Sequence, residues 1–164
     1  MKDEQGGGAP RFVAYFRVRY HEMDVLGHVN NAVYLHYLEQ AAVEHSAALG
    51  YDMARLAALG GVFIARRHEI EYLRPAAAGD ALAVVTWAVE LKGAHAVRDY
   101  AIHRHGAAAG APLPADAFLA PGAAPPGQPL VTARTLWAWV DPATGRPRRL
   151  PAELLAAFNA KYEV

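Results

Sequence analysis

Near the start of the chain the sequence alternates between two faces. Phe12, Ala14, Phe16, Val18 and Tyr20 fall on one face, with Arg17 and Arg19 on the other, the period-two pattern of a half-buried strand. The period then lengthens. Over 31–49, Tyr34, Leu35, Tyr37, Leu38, Ala41, Ala42, Ala48 and Leu49 make one wide apolar arc on a helical wheel, which predicts a helix lying on a core. Its alanines would let a sheet approach closely. His45 falls in the middle of that arc and is expected as a hydrogen-bonded core histidine. Gly50 follows as the C-terminal breaker, and the polar stretch 21–30 is the turn between strand and helix.

The remaining pattern is mostly extended. A short helical turn and loop over 51–61 close on Gly60 and Gly61. Strands are expected over 62–74, stopped by Pro75, over 81–91 after a turn at Gly79 and Asp80, over 96–104 after a tight connection at Lys92 and Gly93, and over 130–140. Pro151 opens a short C-terminal helix through Phe158. One strand, one long helix and four strands joined mainly by hairpins describe an α+β domain, with an antiparallel sheet packed on one main helix.

One segment stands apart. Of the 22 residues 106–127, 18 are Ala, Gly or Pro, and no periodicity supports an element there. The expectation is a surface insertion, or a lid in which Phe118 and Leu119 supply the apolar contacts. The length suits one domain with a real core over 11–164, preceded by a glycine-rich tail, 1–10, expected to be disordered.

Composition removes several functions. Sixteen basic and sixteen acidic residues leave a formal net charge of zero, so no global field favours nucleic acid or an acidic membrane. There is no cysteine, hence no disulfide frame or thiol nucleophile, which fits a reducing compartment. No apolar run approaches the length of a membrane span. The first ten residues lack the apolar centre of a signal peptide, and a cytoplasmic protein is expected. The eight histidines scatter and form no His-Glu-x-x-His pattern, so no metal site and no cofactor are expected.

The chemistry concentrates in Tyr20-His-Glu-Met-Asp24-Val-Leu-Gly27-His28-Val29-Asn30-Asn31-Ala-Val-Tyr34. An acid is held in a glycine turn between a strand end and a helix start. The free N–H groups of a first helical turn and the helix dipole create positive potential. A carbonyl between them and Asp24 would be polarised at oxygen and open to attack at carbon, the geometry of acyl transfer.

Asp-x-x-Gly-His-Val-Asn-Asn-x-x-Tyr after a strand, with Glu39 further along the helix, resembles the hot-dog-fold thioesterases, most closely the 4-hydroxybenzoyl-coenzyme A thioesterase class. The His-Val-Asn-Asn portion is also similar to plant acyl-carrier-protein thioesterases. The resemblance implies a curled sheet of about five strands wrapped around one long central helix, assembled as a homodimer or homotetramer with sites between subunits. It implies an acyl-coenzyme A thioesterase in which Asp24 is nucleophile or general base and the Asn31 backbone N–H is the oxyanion donor. The Asn31 side chain would also be able to cap the helix. Gly27 would bring the turn backbone close to the substrate, Asn30 would orient water or the turn, and His28 would join the chemistry or hold the turn. Glu39 would face a partner's site or form a structural ion pair. Tyr20, Tyr34 and Tyr37 would wall the site or the core. Arg66, Arg67, Lys92, Arg98 and Arg104 are candidate contacts for coenzyme A phosphates, each otherwise a solvated strand residue. An acyl-carrier-protein substrate would require a basic outer patch instead. A hydratase lacks its acid-base pair here, and a non-catalytic acyl-binding module is opposed by the intact Asp24 turn.

Overall fold

The structure, a computed structural model, describes residues 9–159. The expected tail lies outside the described residues apart from Ala9, which packs on a core cluster, and Pro10, which is buried. The strands are β1 (Phe12–Arg17), β2 (Val62–Tyr72), β3 (Ala81–Lys92), β4 (His95–His105), β5 (Ala117–Phe118) and β6 (Gln128–Val140), and the helices are α1 (Val33–Ala48), α2 (Met53–Ala58) and α3 (Ala152–Asn159). The six strands form one antiparallel sheet in the order β2-β6-β4-β3-β1-β5. No helix among the described residues is long and apolar enough to cross a membrane.

The sheet curls around α1. The helix buries Tyr34, Tyr37, Leu38, Ala41 and His45, a stripe at helical spacing. Against it lie Phe12 and Ala14 of β1, Leu82 and Val84 of β3, Tyr100 and Ile102 of β4, and Val131 and Ala133 of β6. A second cluster joins Tyr51, Leu56, Trp139, Leu154 and Phe158, so that α2 and α3 close the far end of the helix. Gly50, at φ +86°, takes the left-handed conformation that ends α1. Strand β3 is buried on both faces from Ala81 to Thr86.

Three expectations change. The first strand ends at Arg17 rather than at residue 20, because the chain makes a single 3-10 turn at Tyr20–Glu22 and leaves Tyr20 83% exposed. Helix α1 starts at Val33, two residues later than the pattern predicts. The Ala/Gly/Pro segment carries β5, a strand beyond the five expected, where Phe12 faces Phe118 and Val13 faces Ala117. The segment is docked by side chains as well. Tyr15 N donates to Asp116 Oδ1 at 3.0 Å, and Arg17 donates to the Ala111 carbonyl at 2.6 Å. Leu119 packs with Tyr15 and Trp87 over Val13, Ala83 and Val85 on the outer face of the sheet.

Candidate active site

The turn that carries Asp24 is a small hairpin. Met23 and Val29 form an antiparallel bridge, Asp24 N donates to the His28 carbonyl at 2.8 Å, and Gly27 N donates to the Asp24 carbonyl at 3.1 Å. Gly27 sits at φ +74°, a region that a residue with a Cβ avoids. The Asp24 carboxylate has two different environments. Its Oδ1 accepts from Leu26 N at 2.9 Å and, more weakly, from His28 N at 3.4 Å, while Oδ2 has no hydrogen-bond partner among the described residues. The side chain thus fixes the turn with one oxygen and keeps the other available. His28 acts here through its backbone, and its side chain is exposed.

Asn30 Oδ1 accepts from Ala32 N at 2.9 Å and Asn30 O from Val33 N at 2.9 Å. Asn30 thus closes an Asx turn just before α1, while the N-cap position falls on Ala32 with no side-chain cap, so the Asn31 side chain does not cap the helix. The Asn31 N–H, at the head of α1, has no acceptor among the described residues, and its carbonyl accepts from the Tyr72 hydroxyl at 2.9 Å.

Several groups hold this turn in place. Glu22 Oε2 accepts from Arg19 N at 2.7 Å and from the Tyr37 hydroxyl at 2.6 Å, and the Glu22 carbonyl accepts from Asn30 N at 2.9 Å. Burial and the Glu22 carboxylate raise the Tyr37 hydroxyl well above the usual phenol range. On the other side Val29 N donates to Ala76 O at 2.8 Å and Ala78 N to Met23 Sδ at 3.2 Å. That second loop is held in turn by Arg104, which pairs with Asp80 at 3.0 Å and donates to Pro75 O at 2.6 Å. Arg104 is thus a clamp on the site loop rather than a free cation. Glu22 and Tyr72 are residues that the sequence pattern did not single out. Glu22 falls within the motif itself, two residues before Asp24.

Not every candidate gathers at the turn. Tyr34 is 2% exposed, with its ring edge-on to Tyr72 at 5.4 Å, so it is a core residue under the turn and not an exposed substrate contact. Arg66 is the extra residue of a β-bulge in β2, Arg67 pairs with Glu69 at 2.5 Å, and Lys92 ends β3. All three are exposed, and none bonds to the Asp24 turn. Glu39 lines a separate cavity of about 360 Å³, roughly 9 Å along the helix from Val33 at 1.5 Å per residue. The cavity lies between the C-terminal half of α1, α2, the start of β2 and Phe158, and Arg98 also lines it. Arg98 departs from the expected solvated strand position, since only 7% of it is exposed. Among the described residues no group of three or more His, Asp or Glu is placed to hold a metal ion.

Residues 18–158 match the sequence profile of the thioesterase-like superfamily. No curated protein matches the chain. The fold is similar to that of a probable thioesterase from Bartonella henselae, with 27% identity, TM-score 0.68, and coverage of 85% of this chain and 99% of that one. It is also similar to a DHNA-CoA thioesterase from Staphylococcus aureus, with 18% identity, TM-score 0.74, and coverage of 90% and 88%. A thioesterase from Thermus thermophilus, complexed with coenzyme A and Zn, matches at 24% identity and TM-score 0.68 over 91% of this chain and 92% of that one. With a profile match that runs from the end of β1 into α3, through the Asp24 turn and the whole of α1, the chain belongs to the thioesterase-like superfamily and is a thioester hydrolase of the hot-dog fold.

Proposed function

We propose that the Asp24 turn hydrolyses the thioester of an acyl-coenzyme A to a free carboxylic acid and the coenzyme A thiol. The observation that carries this reading is the divided carboxylate. Asp24 Oδ1 is engaged by the turn's own N–H groups, which orients the side chain and leaves Oδ2 for chemistry. Two routes use that oxygen. As a nucleophile it attacks the thioester carbon, the carbon–sulfur bond breaks, the thiolate leaves, and water cleaves the resulting mixed anhydride. As a general base it takes a proton from water, whose oxygen attacks the carbonyl directly, and the carbon–sulfur bond breaks as the tetrahedral intermediate expels the thiolate. In both, negative charge develops on the carbonyl oxygen, and the Asn31 N–H at the positive end of α1 is the donor suited to receive it. Asn30 and His28 hold the turn, and Gly27 admits the close backbone.

The carrier is read as coenzyme A because the Thermus thermophilus relative is complexed with it and because Arg66, Arg67 and Lys92 offer exposed cations for phosphates. An acyl-carrier protein is the alternative, using the same cations as an outer patch. The working unit is a homodimer or homotetramer. Strand β2 is an 11-residue edge, which another chain would pair, and Val25 and Leu26 beside Asp24 are 101% and 74% exposed. The cysteine-free chain suits a reducing cytoplasm.

The test is a hydrolysis screen with short, medium, long and aromatic acyl-coenzyme A esters, followed by release of free thiol. Turnover of at least one class, well above the rate without enzyme, is expected. Binding without turnover across the whole panel would instead identify a non-catalytic acyl-binding module.

A further inference from the structure

Among the described residues, the Arg98 side chain is buried without a counter-ion. Alternation along β4 puts it on the inner face with Ala96, Tyr100 and Ile102. Its Nη1 donates to His45 Nδ1 at 2.7 Å and to Thr86 Oγ1 at 3.1 Å, and its guanidinium lies 5.4 Å from the Phe158 ring centroid. Every one of these partners is neutral. His45 is included, because burial first and the adjacent Arg98 charge second push its pKa down to about 3. Among the described residues no carboxylate lies within ion-pair distance of Arg98. Of its five N–H groups, those on Nε and Nη2 have no protein acceptor there. A guanidinium keeps its charge even when buried, and leaving an ion unpaired in the interior is strongly unfavourable.

The charge faces a use. Arg98 lines the 360 Å³ cavity, whose walls are otherwise largely apolar, including Ala42, Val43, Leu56 and Phe63. That volume is at the small end of the range for small-molecule pockets. Glu39 also lines it but is exposed and so stands at the rim. We propose that this cavity binds an apolar carboxylate, with its chain or ring against the apolar walls and its carboxylate on the free edge of the Arg98 guanidinium. The planar fork of N–H donors matches a carboxylate in two parallel hydrogen bonds. An anion would supply the missing counter-charge, and an apolar body would fill the walls. Hydrated inorganic phosphate satisfies the first condition only. The site stands whether or not the Asp24 turn hydrolyses thioesters. Its ligand is either a free acid or the far end of a dicarboxylic acyl group.

Calorimetry on the full chain with octanoate and with octanamide compares two bodies of one shape with and without the charge. Octanoate is expected to bind about 10–100-fold tighter, the range for hydrogen bonds to a charged group, and inorganic phosphate is expected not to bind. Arg98→Gln should abolish the preference. Ala42→Phe, at a half-buried helix position that tolerates bulk better than the Arg98 network tolerates loss, should abolish binding of both. Equal affinity for the two ligands, absence of octanoate binding, or octanoate binding unchanged by Ala42→Phe would overturn the proposal. Kinetics then separate the sources. A lower KM for an ω-carboxyacyl-coenzyme A than for its methyl ester, lost in Ala42→Phe, assigns the site to the acyl end. Equal KM values with octanoate still bound assign it to a free acid. No turnover of either thioester or of any ester in the panel, with octanoate bound, refutes the hydrolytic reading and leaves this site intact.

Discussion

The Tyr37 hydroxyl donates to the Glu22 carboxylate at 2.6 Å, joining the second turn of α1 to the 3-10 turn that leads into Asp24. Tyr37→Phe removes only that bond. The lost hydrogen bond should cost about 1 kcal/mol of stability, seen as a small fall in Tm. Turnover should fall more, by about tenfold, since small displacements of a reacting group are costly. A Tyr37→Phe protein with unchanged kcat would show that the tie does not set the position of the turn.

Asp24→Asn keeps the turn, because the amide oxygen still accepts from Leu26 N, but removes the charge. Turnover should fall by about 10² or more with the fold intact, measured as thiol release beside circular dichroism. Near-normal hydrolysis would end the role proposed for Asp24.

His45 gives the chain an acid-sensitive stability. Its folded pKa is pushed down to about 3 by burial and by Arg98, against about 6.5 when unfolded. Below pH 6.5 the unfolded chain takes up a proton that the folded chain refuses, so stability is complete above that pH and declines as the pH falls toward 3. The slope approaches about 1.4 kcal/mol per pH unit for this one group. His45→Gln retains an acceptor for Arg98 and does not titrate. Its Tm should vary less with pH between 3 and 6.5, and parallel curves for the two proteins would contradict the assignment.

Phe118 packs edge-on to Phe12 at 5.3 Å and to His45 at 5.6 Å. Half-buried, it should lose about 2 kcal/mol on Phe118→Ala, below the range for a fully buried phenylalanine, for a Tm decrease of several degrees. Replacing 106–127 by a short turn should lower Tm at least as much, since β5 and the Leu119 contact go with it. Kinetics on short and long acyl esters then decide whether the segment is also a lid. Only a lid changes their ratio.

Leu26→Glu tests assembly. Sedimentation of the wild type should show at least a dimer, and a charge at this exposed apolar position should shift the protein toward monomer and lower its activity together. A fully active monomer would remove the shared-site reading.

The order of elements, the antiparallel hairpins and the motif turn were legible because each rests on local periodicity or turn chemistry. Strand β5 was not. Two residues in an alanine-rich segment have no period, and they pair only because Phe118 finds Phe12 across the chain. Neither asparagine caps α1, because the helix starts two residues later than the pattern predicts, which leaves Ala32 at the N-cap and the Asn30 side chain in the turn before it. Arg98 had a readable signal. It shares period-two spacing with Ala96, Tyr100 and Ile102, which assigns it to the inner face, but arginine is so often solvated that the residue type outweighed the period. Its partner His45 was correctly expected as a hydrogen-bonded core histidine.

The first half of β3, Ala81 to Thr86, is buried on both faces, with a consequence for how the molecule breathes. With α1 on one side and the Tyr15, Trp87 and Leu119 cluster on the other, its amides reach solvent only when the whole sheet opens. They should be among the slowest to exchange hydrogen for deuterium, at the free energy of global unfolding. The Leu26 and His28 amides, shielded by little more than the Asp24 side chain, should exchange through local opening long before. The Asp24 turn is thus a soft element on a stiff floor, and the ligand proposed for it would enter and leave without drawing on the stability of the sheet beneath.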